Sequence, residues 1–178
     1  MKLLVLLSML FSLNSLASSE FTRLFNELYY TEYRAQRCGE NIRELLTYAD
    51  AKSLDITDAE VLVLRNKGLS VFGQVNALYA RTPSLQYSAN ERNWRFHIFL
   101  MKGNSIYDFD FGNQPTVSSV GQYFQKMFLN SEARSRFKVD PEQKKDDYLV
   151  EFYNSVEYLR GEERIIKSIS LREFLKRN

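Results

Sequence analysis

Apolar positions Phe21, Leu24, Phe25, Leu28 and Tyr29 recur at helical spacing and predict an amphipathic helix over residues 20–34. Ile42, Leu45, Leu46 and Ala49 predict a second helix over 39–50. Cys38 then stands at or near that helix start, beside Gly39, which allows the chain to bend there. Asp50 to Asp58 reads as a loop, and Glu60 to Arg65 is a short β-branched apolar run predicted to be a buried strand. Lys67-Gly68 marks a turn, Leu69 to Ala80 alternates enough for a further strand, and Thr82 to Asn90 is polar loop.

Asn93 to Leu100 and Ser105 to Phe111 flank Met101-Lys102-Gly103-Asn104, the clearest hairpin signal in the chain. Val117 to Phe128 returns to helical spacing through Val120, Phe124 and Phe128. Asp140-Pro141 to Asp147 is a charged loop, and Tyr148, Leu149, Phe152, Tyr153, Val156 and Leu159 predict another helix. Ser170-Leu171-Arg172-Glu173 has the form of a capping box opening a short C-terminal helix. Helices, then a mainly antiparallel sheet, then helices describe an α+β domain over residues 18–178.

The first 17 residues change the picture of where this domain works. Lys2, an apolar run from Leu3 to Leu13, and Ser15-Leu16-Ala17 have the pattern of a cleavable signal peptide. The run is short for a membrane span, so the expectation is export to the periplasm or the medium, with no membrane attachment after cleavage. The formal net charge is +2, and losing the single charge of Lys2 leaves +1, which supplies no clustered basic face for a nucleic acid. The expected state is a monomer, with no cofactor and no metal.

Export sharpens attention on the only cysteine, Cys38, and the only histidine, His97. A lone thiol in an oxidising compartment is either buried and inert or used. Strand alternation puts Trp94, Phe96, Ile98 and Leu100 on one face and Arg95, His97 and Phe99 on the other. On the partner strand, Ile106, Asp108 and Asp110 share a face, opposite Tyr107, Phe109 and Phe111. A two-residue loop of Lys102-Gly103 would pair His97 directly with Asp108. A loop of Gly103-Asn104 would pair it with Asp110 and leave Asp108 diagonal. Gly at the first central position suits a type II′ turn and favours the second register.

Cys, His and Asp in that chain order are the layout of papain-like thiol hydrolases. The chemistry needs each of them. A thiolate is the nucleophile, and a nearby imidazolium and the positive end of a helix both favour it. A carboxylate orients the imidazole. The Cys38 backbone N–H and the Gln36 side chain are candidate donors to an oxyanion. Against this stand plainer roles: Cys38 as a small core residue, His97 as a hydrogen-bonded strand residue, the aspartates at turns or in solvent, Gln36 in solvent and Trp94 in the core. The two aspartates also resemble half of a metal site.

The chain resembles the eukaryotic protein N-terminal glutamine amidohydrolases, which convert an N-terminal Gln to Glu. Their Y-x-x-x-x-C-x-E-N-[IV]-x-x-L stretch is matched by Tyr33, Cys38, Glu40, Asn41, Ile42 and Leu45. Their W-x-x-H-[VI] is matched by Trp94, His97 and Ile98, and their I-Y-D-L-D by Ile106, Tyr107, Asp108, Phe109 and Asp110. Weaker echoes run through Arg134 to Val139 and Ser170 to Leu175. The resemblance implies a papain-like or transglutaminase-like fold and a catalytic Cys38, His97 and Asp108, choosing Asp108 over Asp110. Tyr33, Trp94 and Asp110, which lie in the matched motifs, and Gln36, which is close to Cys38 in the chain, are the expected supporting or substrate-binding residues. The resemblance implies a glutamine-bearing peptide or protein as substrate. Unlike that family, this chain carries a signal segment, has a shorter loop between the His and Asp strands, and lacks further cysteines near Cys38. A cysteine peptidase, a transglutaminase and a non-catalytic exported binding module are the alternative expectations.

Overall fold

The computed structural model describes residues 19–35, 37–67, 96–111, 114–125, 146 and 148–178. The expected signal segment, Gln36, the strand at 69–80, the loop at 82–90, Trp94 and the echo at 134–139 lie outside them, as does the 140–147 loop apart from Asp146. In chain order the elements are helix α1 (19–31), α2 (Cys38–Ala51), β1 (Ala59–Asn66), β2 (Phe96–Lys102), β3 (Ser105–Asp108) and β4 (Thr116–Ser119). Helix α3 (120–125), β5 (Tyr148–Asn154), α4 (Ser155–Leu159), β6 (Lys167–Ser170) and α5 (Leu171–Arg177) follow. Among the described residues, six strands form one sheet in the order β4-β3-β2-β1-β5-β6, every neighbouring pair antiparallel. The architecture is mixed α+β.

Helices cover both faces of the sheet. Val61, Val63, Leu100 and Tyr107 pack with α1 and α2 through Phe21, Phe25, Ile42 and Leu45. Leu62, Leu64, Phe99 and Ile106 pack on the other side with Val120, Tyr123 and Phe124 of α3 and Phe174 of α5. Strand β1 lies at the centre, and Val61 to Leu64 are all buried, because alternate residues enter different cores. This is the buried strand expected from Glu60 to Arg65.

Three expectations are corrected. Tyr148 to Asn154 is a strand rather than a helix, and only Ser155–Leu159 is helical. β5 is paired on both edges and covered on both faces, so its apolar residues run almost continuously and mimic helical spacing. Asn154 ends it by accepting the Val156 and Glu157 N–H groups with its side chain. Val117 belongs to β4 rather than to a helix. Thr116–Ser119 pairs with β3, and Ser119 Oγ then accepts the Gln122 N–H at 3.4 Å as α3 begins. Helix α1 ends at 31 instead of 34. The Glu32 and Tyr33 N–H groups both return to the Leu28 carbonyl, and the chain turns away towards Cys38. The C-terminal cap holds as expected, with Ser170 Oγ accepting the Glu173 N–H at 3.1 Å.

Candidate active site

Cys38 is the first residue of α2, following an N-cap Arg37 that makes no side-chain cap bond. As at any helix start, the amides of the first turn have no intrahelical carbonyl to meet, so the thiol stands at the positive end of a 14-residue helix. Asn41 fixes the approach to that helix. It is buried, accepts the Arg34 N–H at 3.1 Å, and donates to the Arg34 carbonyl at 2.8 Å. Gly39 lets the helix start sit close to the sheet. A Cβ there would stand 3.0 Å from the Tyr158 hydroxyl and 3.1 Å from Ile98 Cδ1.

His97 comes from the beginning of β2 and is fully buried. The β2–β3 connection is the two-residue Gly103-Asn104 loop, with Lys102 opposite Ser105 and Leu100 opposite Tyr107. Gly103 has φ 57° while Asn104 keeps a negative φ, the sign pattern of a type II′ turn. This is the register favoured by the turn residues, and it leaves Asp108 diagonal to His97. The diagonal residue is the one that binds: His97 Nε2 and Asp108 Oδ2 are 2.6 Å apart, both side chains buried.

Asp108 is held from three directions. Oδ2 also accepts the Tyr123 hydroxyl at 2.6 Å, and Oδ1 accepts the Asp110 N–H at 2.9 Å. The last bond bends the chain out of β3, and the strict alternation expected through Phe111 stops at Asp108. Asp110 therefore does not lie on a continuing strand opposite His97. Its Oδ1 accepts the Tyr33 hydroxyl at 2.5 Å. Phe111 packs against Tyr123, ring centres 4.6 Å apart, in the core opposite the one that holds Tyr107 and Phe109.

Burial by itself pulls the imidazole's proton affinity down. The Asp108 carboxylate, its hydrogen bond to the ring, and a hydrogen bond and charge from Cys38 outweigh that and push the His97 pKa up to about 10. Nε2 is given to Asp108, and Cys38 acts on the same ring from close by. The imidazole is fully buried, whereas Cys38 is only partly so. Burial, with the Asp108 carboxylate beside it, raises the pKa of Tyr123 well above the usual phenol value, so its hydroxyl keeps its proton and donates it.

The chain thus brings together Cys38, His97, Asp108, Asp110 and Tyr33, while Gln36 and Trp94 lie outside the described residues. Tyr123 was not among the expected site residues. Its position three residues after Val120 marked it as inward-facing, and a buried phenol needs a partner for its hydroxyl. Among the described residues, no group of three or more His, Cys, Asp or Glu side chains is placed to hold a metal ion. A scan against protein-family models finds none that matches the chain, and a search of curated proteins finds no match either.

Proposed function

We propose that this chain is an exported thiol amidohydrolase that deamidates glutamine side chains in peptides or proteins. The observation that carries this reading is the buried imidazole of His97, held by Asp108 at Nε2 and near enough to the only thiol of the chain for Cys38 to raise its proton affinity. A nucleophile at a helix start, set against an antiparallel sheet that supplies the His and Asp, supports a papain-like or transglutaminase-like arrangement. The residues shared with the N-terminal glutamine amidohydrolases support glutamine as the group attacked. The Lys2 to Ala17 pattern supports export, and among the described residues no helix is long and apolar enough to cross a membrane.

In the proposed reaction the Cys38 sulfur adds to the side-chain carboxamide carbon, and its proton resides on His97. The amides at the start of α2 stabilise the oxyanion. His97 then gives its proton to the departing nitrogen, the C–N bond breaks, and ammonia leaves a thioester on Cys38. Water, deprotonated by His97, attacks the thioester carbon; the C–S bond breaks, releasing glutamate and restoring the thiol. Asp108 orients the ring throughout.

The test is incubation of the mature protein with peptides carrying N-terminal or internal Gln, reading ammonia and peptide mass. Ammonia with a one-dalton gain supports deamidation, and its loss in Cys38→Ala supports the nucleophile. Peptide fragments would move the reading to a peptidase, and amine-linked adducts to a transglutaminase. No reaction with a folded protein would move it to a binding module.

A further inference from the structure

We propose that Tyr123 is a positioning residue that limits how tightly Asp108 holds the proton of His97. Its bearing on catalysis rests on the thiol amidohydrolase reading; its effect on His97 does not. Two donors converge on one atom: the His97 ring through Nε2 and the Tyr123 hydroxyl both stand 2.6 Å from Asp108 Oδ2. The other carboxylate oxygen accepts the Asp110 N–H, so the carboxylate cannot turn to give each donor its own oxygen without breaking that bond.

The phenol is aimed by its ring. Tyr123 is fully buried, with the rings of Phe99, Phe124 and Phe111 centred 5.2, 5.1 and 4.6 Å away. Among the described residues, the titratable groups that act on His97 include Asp108 from β3 and Cys38 from α2, and those that act on Tyr123 include Asp108, Asp110 and Cys38. An oxygen that accepts two hydrogen bonds gives less of its negative charge to either donor. Tyr123 thereby weakens the hold of Asp108 on the imidazolium, and the ring releases its proton to a leaving group more readily than it would if Oδ2 served His97 alone.

The chain has a single histidine, so its ring resonances are unambiguous. In Tyr123→Phe, the His97 Nε2–H proton is expected to move downfield and the His97 titration to move to higher pH. The same variant should lower kcat about tenfold with little change in KM, and shift the alkaline limb of kcat upward. An unchanged or upfield proton with an unchanged or lower titration, in the folded variant, would overturn the proposal. The parent protein supplies a check that needs no variant. A nuclear Overhauser contact is expected between the Tyr123 hydroxyl proton and the His97 Nε2–H, and its absence with both protons observed would overturn the proposal. If the parent hydrolyses no amide, the functional reading fails while the resonances still decide the role of Tyr123.

Discussion

The Tyr33 hydroxyl donates to Asp110 Oδ1 at 2.5 Å, and this one bond ties the segment entering the Cys38 helix to the turn leaving the Asp108 strand. Tyr33 also stacks on Tyr29, ring centres 4.9 Å apart, so the ring is fixed from the α1 side. The bond spans the two halves of the site. Tyr33→Phe keeps the stack and removes the bond. A stability loss of about 1–2 kcal/mol is expected from chemical denaturation. The rate of amide hydrolysis should fall by about tenfold or more, because small displacements of reacting groups are costly. A variant with the parent rate would show that the clamp does not set the geometry.

His97 should be an imidazolium throughout the neutral range. Its pKa of about 10 in the folded protein exceeds the ordinary histidine value. Both ring nitrogens should therefore carry protons at pH 7 in a ¹⁵N spectrum. The linked stability is complete below the unfolded value, near 6.5, and is lost as pH rises through about 10. Urea midpoints should fall across that window, and fall less in Asp108→Asn. A folded-state titration near the ordinary value would contradict the ion pair.

Gly39 tests how close the helix start must lie to the sheet. Alanine would ordinarily add about 1 kcal/mol of helix stability. Here its Cβ meets the Tyr158 hydroxyl and Ile98 Cδ1 at 3.0 and 3.1 Å, so one neighbour or the helix start must move. Gly39→Ala should reduce activity by about tenfold while the overall fold survives. Full activity would show that Tyr158 and Ile98 yield without moving Cys38.

Asn41→Ala removes two hydrogen bonds that satisfy the Arg34 backbone. A loss of about 2–3 kcal/mol is expected in denaturant unfolding. Faster hydrogen exchange at the Arg34 amide than in the parent is the local readout, and unchanged exchange would contradict the clip.

Several parts of this site were legible in the sequence. The position of Cys38 followed from the spacing of Ile42, Leu45 and Leu46, and the hairpin register followed from Gly103 at the first turn position. Both depend on local preferences that neighbouring residues express directly. The choice of Asp108 over Asp110 needed the family motif, because alternation alone kept both on one face. What ended the alternation was a side chain–backbone bond from Asp108 to the Asp110 N–H, which no periodicity reports. β5 mimics a helix in its sequence because a strand buried on both faces loses the period of two. The role of Tyr123 depends on α3 folding over the hairpin, a tertiary event carried by no motif.

Cys38 is the only cysteine, so its alkylation reports on the site alone. The most direct measurement is the rate at which iodoacetamide modifies it at pH 6, where an ordinary thiol reacts slowly. The parent is expected to react about tenfold or more faster than free cysteine, and His97→Asn is expected to fall to the free-thiol rate. A folded parent that reacts no faster than free cysteine would contradict a working pair of Cys38 and His97.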